Sequence, residues 1–175
     1  IWSNTANYKF HGARDTIKEQ SIDAFLKEYS KAYASLNAKR VLDLMYFPDT
    51  AIGELYKQMM TEEIEAEFEV SRMIEAKYEV KIEPAKDEDA IIQDENEAII
   101  SKGTVTQKVT FDPELVANLI TKETDPEILQ MLEHILTNNP NGKFDETGII
   151  GEGIDADLSP IHLKRVNNKW KMIPF

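Results

Sequence analysis

Cysteine is missing from all 175 residues, which excludes disulfide scaffolds, thiolate zinc sites and cysteine nucleophiles. No run of 18 apolar residues occurs either, so these residues encode no membrane-spanning helix. Basic side chains are scarce. There are 20 Lys and Arg against 32 Asp and Glu, for a formal net charge of -12. A surface that acidic repels phosphate backbones, so nucleic acid is not an expected partner. Catalytic signatures are absent as well: no P-loop, no Gly-x-Ser-x-Gly elbow and no kinase motif. His11, His134 and His162 are too far apart for a His-x-x-x-His zinc motif.

What is present describes a folded domain. Hydrophobic residues make up 42% and charged residues 30%, which suits one packed core rather than a disordered tail. The chain opens on Ile1 rather than Met, with no basic and apolar leader, and reads as a mature or trimmed fragment. Its acidity is concentrated. Residues 61–100 carry 14 acidic and 4 basic side chains, a net of -10. Residues 1–60 net +1 (8 basic, 7 acidic) and residues 101–175 net -3 (8 basic, 11 acidic). Such a segment is either a solvated helix face and loop or a surface that recruits cations or basic partners.

Periodicity predicts an α+β domain over residues 16–175, after an N-terminal arm (1–15) that Trp2 and Phe10 could pin to the body. Thr16 to Glu19 fits a capping box and Ser21 is a second start; Ile22, Phe25, Leu26, Tyr29, Ala32, Tyr33 and Leu36 then recur at helical spacing. Asn37 caps a short second helix, which Phe47-Pro48 ends. A third helix is expected over 52–76, with Ile52, Leu55, Tyr56, Met59 and Met60 on its first apolar stripe and a possible break at Thr61. Glu63 to Val70 alternates like a strand, but glutamate favours helix.

Tyr78, Val80 and Ile82 alternate with charges, predicting a half-buried strand closed by Pro84. Asp87 to Asp89 and Asp94 to Asn96 are turns around a short Ala90-Ile91-Ile92 pairing segment. One long strand is expected from Glu97 to Phe111, bent at Gly103. Asp112-Pro113-Glu114 and Asp125-Pro126-Glu127 each place Asp at an N-cap and Pro in the first turn, opening a helical pair. Gly148 to Gly153 is expected to be a flexible stretch. A final hairpin, about 160–166 and 169–173, turns at Asn167-Asn168.

The run Tyr33 to Leu42, a helix end, small-residue joint and short helix, and the closing Val166-Asn167-Asn168-Lys169-Trp170-Lys171-Met172-Ile173 resemble the nuclear transport factor two-like superfamily. The likeness is nearest to uncharacterised bacterial envelope lipoprotein domains. It implies a cone-shaped fold, with N-terminal helices on a curved, mainly antiparallel sheet, and an extracytoplasmic place beside a membrane. Attachment would be only through a lipidated N-terminal Cys absent from this chain. The long acidic third helix and the helical pair inserted before the hairpin depart from the simple cone.

No catalytic residue, metal ligand or cofactor is assigned. Thr137 to Gly148 resembles a calcium loop but has Thr137 and Gly148 where the anchoring carboxylates belong. Gly148 to Gly153 reverses the dinucleotide spacing. The candidate ligand-binding residues are Tyr29, Tyr33, His162 and Trp170. Trp170 is either a core residue or a stacking wall facing the two tyrosines, as in mostly apolar pockets with a few aimed polar groups. The leading expectation is a non-enzymatic extracytoplasmic domain that binds an unknown small molecule or protein. The alternatives are an enzyme using His162 as an acid–base group, and a cation-linked structural module.

Overall fold

Ser21 opens the first helix, its hydroxyl accepting from the Ala24 amide at 3.0 Å. In the computed structural model, which describes residues 19–174, this helix is α1 (Ile22–Ala34). The expected arm, the Thr16 box and the pins Trp2 and Phe10 lie outside the described residues. Asn37 caps α2 (Ala38–Leu42) and Thr50 caps α3 (Ala51–Met73). No break occurs at Thr61, whose hydroxyl donates back to the Lys57 carbonyl within the same helix. The apolar stripe on its first half does not reach the core: Ile52, Leu55, Tyr56 and Met59 are exposed. The helix enters the core only from Met60 onward, through Ile64 and Phe68.

Seven strands follow the alternation of the sequence: β1 (Lys77–Pro84), β2 (Ile91–Gln93), β3 (Glu97–Ile100), β4 (Gly103–Thr110), β5 (Lys143–Ile150), β6 (Ile161–Val166) and β7 (Lys169–Met172). They form two antiparallel sheets, ordered β1-β4-β5 and β2-β3-β6-β7. The single strand expected from Glu97 to Phe111 is thus two strands in different sheets. Gly103 marks the break, because a Cβ there would meet the Glu83 carbonyl oxygen at 2.3 Å. Only a residue without a side chain lets the β1 and β4 backbones approach so closely.

The flexible stretch expected from Gly148 is also corrected. Residues 148–150 end β5, whose Gly148 pairs with Val105. The following loop folds back, with Asp157 Oδ2 accepting from the Ile149 amide at 2.8 Å. The twin Asp-Pro caps open α4 (Pro113–Lys122) and α5 (Pro126–Asn138) as expected. The hairpin turn has Asn167 and Asn168 at φ 51 and 65, the two positive values that a tight β-turn between twisted strands requires.

Both sheets contribute to one core. Tyr78, Val80, Ile82 and Ile150 of the first meet Ala98, Ile100, Leu163 and Trp170 of the second, under the buried stripe of α1. A smaller cluster of Ile74, Ala76, Val116 and Leu132 holds α4 and α5 to the end of α3. The class is therefore α+β, with N-terminal helices against antiparallel sheets and a helical pair before the hairpin.

Candidate functional site

The α1 spacing places Tyr29 and Tyr33 on one face, one turn apart, with ring centroids separated by 5.0 Å. Tyr33 meets Phe68 of α3 edge-on at 5.7 Å and stacks on Tyr78 of β1 at 6.0 Å. The Tyr78 hydroxyl donates to Glu67 Oε1 at 2.7 Å and accepts from the Gln107 side-chain amide. Burial raises the pKa of all three phenols above the usual tyrosine value. At Tyr78 the hydrogen bond and charge of Glu67 push further in the same direction. These groups stay protonated at neutral pH and tie α1, α3 and the first sheet together.

Trp170 does not stand as a wall opposite them. It is 1% exposed, among the most deeply buried large side chains. The Arg165 guanidinium covers its ring at 4.3 Å from the centroid and is held by Glu19 at 2.9 Å. The Trp170 amide donates to the Gln20 side-chain oxygen Oε1 at 2.8 Å, so the segment leading into α1 closes over β7. The alternation of β7 turns Trp170 toward Leu163 and the core, the first of its two expected roles. Its indole Nε1 and Arg165 Nε are buried without a hydrogen-bond partner among the described residues.

His162 lies elsewhere. It sits opposite Ile99 on the exposed face of β6, while its neighbour Leu163 is buried. It borders a depression of about 220 Å³ with Asp94 and Glu97. No hydrogen bond or ion pair joins the imidazole to either carboxylate among the described residues. The structure therefore brings together Tyr29 and Tyr33; Trp170 shares their core without a ring contact to either among the described residues, and His162 stands apart. No group of three or more His, Asp or Glu among the described residues is placed to hold a metal ion.

Around Trp170 and the tyrosines the interior is filled core, with Phe25, Phe68, Ile100 and Leu163 fully buried. Accessible apolar side chains include a stripe on α3. Ile52, Leu55 and Met59 are 67%, 56% and 55% exposed, at i, i+3 and i+7 on one helical face. This half of the helix is firmly anchored: Thr50 Oγ1 accepts from the Gly53 amide at 3.0 Å, and Gly53 packs on the Pro48 carbonyl. Around the stripe stand Glu54, Glu62 and Glu63, with Lys57 as the nearby cation. A hollow of about 640 Å³ runs beside this segment, lined by Glu54, Lys57, Gln58 and Thr61, and of the stripe only Leu55 borders it.

Sequence periodicity places these residues on one helical face and leaves open what covers it. An apolar stripe has the same spacing whether its partner is the protein's own sheet or another molecule. The dense glutamates from Glu62 onward are the one sequence signal that this helix faces water. Neither a protein-family model nor a curated protein matches the chain.

Proposed function

We propose that this chain is a non-enzymatic, extracytoplasmic protein-interaction domain associated with the cell envelope, with the cone-shaped architecture of the nuclear transport factor two-like superfamily. The α+β order, the short second helix and the closing Asn-Asn hairpin support the family reading. The absence of cysteine and the likeness to envelope lipoprotein domains support the location. The observation that carries the interaction reading is the α3 face, where Ile52, Leu55 and Met59 stand in water on a capped and anchored helix.

Contiguous exposed apolar side chains with a polar rim mark interaction surfaces, and a helix is commonly read by a partner groove through i, i+3, i+7 anchors. The glutamates beside the stripe favour a partner with a basic rim and oppose pairing of two copies through this face. A photo-crosslinking side chain at Leu55, in cells making the full precursor, tests the reading. One defined adduct is expected at Leu55, lost in Met59→Glu and absent when the probe is moved to Lys122. Equal labelling at both positions refutes the interaction site, and recovery of the precursor in the cytosolic fraction refutes the location.

A further inference from the structure

A second surface lies between α1 and β1, and it is independent of the α3 face. An open groove of about 860 Å³ is lined on one side by α1 from Asp23 to Ala34 and on the other by β1 from Glu79 to Pro84. All six consecutive β1 residues line it, although successive side chains point to opposite faces of a sheet. A groove touched by both faces runs along the edge of the strand. β1 is the outer strand of its sheet, and apart from its ladder with β4 its backbone makes no hydrogen bond among the described residues. One row of amide and carbonyl groups is therefore available to a partner.

Two further features say what would fit. The α1 and β1 walls each extend about 17 Å, the length of roughly five extended residues. The floor is apolar, from Leu26, Val80 and Ile82, while the rim carries four lysines against three carboxylates. That local excess of positive charge stands out on a chain of net charge -12. Lys27 pairs with Asp23 and Lys81 with Glu83, but Lys31 and Lys86 make no ion pair among the described residues. The outward charges Lys77, Glu79, Lys81 and Glu83 guard the edge against indiscriminate sheet pairing, so entry requires a matching segment.

We propose that this groove binds an extended peptide segment that adds a strand to the β1 edge, with apolar side chains at alternate positions and carboxylates facing Lys31 and Lys86. Backbone pairing would supply affinity and the two lysines charge selectivity. The test titrates the full chain with acetylated, amidated hexapeptides in which Val alternates with Glu, Gln or Lys, while backbone amide shifts are followed. The Glu peptide is expected to bind best, with shifts concentrated at residues 79–84 and 30–31. In Lys31→Glu/Lys86→Glu its affinity should fall about tenfold, the scale of two exposed ion pairs, with unchanged thermal stability. N-methylation of its pairing amides should abolish binding.

Absence of binding up to about 1 mM overturns the proposal, as do shifts confined to other surfaces or undiminished affinity in the double lysine variant. Occupation of the groove by decanoate but not by peptide would assign it to anionic amphiphiles instead. Concentration-dependent dimerisation with shifts along β1 would assign it to a second copy. Leu55→Glu/Met59→Glu leaves peptide binding intact, so failure here is separable from failure of the α3 reading.

Discussion

Trp170 shows how much one side chain decides in this protein. It is buried to 1% exposure beneath the Arg165 guanidinium. Trp170→Ala should cost about 3–5 kcal/mol, from lost burial plus the cavity left behind. Chemical denaturation reads this directly, and a loss under about 1 kcal/mol would mean that the ring is not core. The tyrosine cluster makes a pH prediction. Tyr29, Tyr33 and Tyr78 have folded pKa values raised by burial. Above the unfolded tyrosine pKa of about 10, the unfolded chain has lost protons that the folded chain retains. Stability from these groups is therefore complete below that pH and declines as pH rises past it. The urea midpoint should fall on going from about pH 8 to about pH 11, and fall less in Tyr78→Phe. An equal fall in both proteins would remove Tyr78 from the account.

At the scale of elements, the start of α3 inverts an ordinary rule. Replacing a helical Gly by Ala normally stabilises by about 1 kcal/mol. At Gly53 an added Cβ would lie 1.9 Å from the Pro48 carbonyl oxygen, so the loop and helix would have to separate. Gly53→Ala is expected to lower the melting temperature, and a rise would show that the loop yields freely. The α4–α5 pair is a separate case. It is held by the small cluster of Ile74, Ala76, Val116 and Leu132, whereas β1 and β4 belong to the large core. Hydrogen exchange should find α4 and α5 opening before β1 and β4, because fewer buried contacts hold them. Leu132→Ala should widen that gap, whereas equal protection throughout would mean one cooperative unit.

At the scale of the whole molecule, the acidic excess of residues 61–100 runs through both candidate surfaces: Glu62 and Glu63 flank the exposed α3 stripe, and Glu79 and Glu83 share the α1–β1 groove with four lysines. Much of the architecture was legible because local chemistry enforced it. Asp112 and Asp125 cap helices wherever the chain goes, and Asn167-Asn168 accepts the positive φ of the turn. β5 was less legible because Asp145, Glu146 and Gly148 disguise its apolar alternation. Its pairing with β4 supplies backbone hydrogen bonds that no local pattern announces.

By itself the sequence determined the helix starts, most strand segments, the final turn and the chemistry excluded by absent cysteine and absent motifs. These depend on neighbours along the chain. Only the tertiary structure decided that Trp170 is sealed in the core, that His162 stands apart from Tyr29 and Tyr33, and that the Ile52, Leu55 and Met59 stripe faces water. The reason is physical. Periodicity tells which side chains share a face, but whether that face is covered depends on elements tens of residues away.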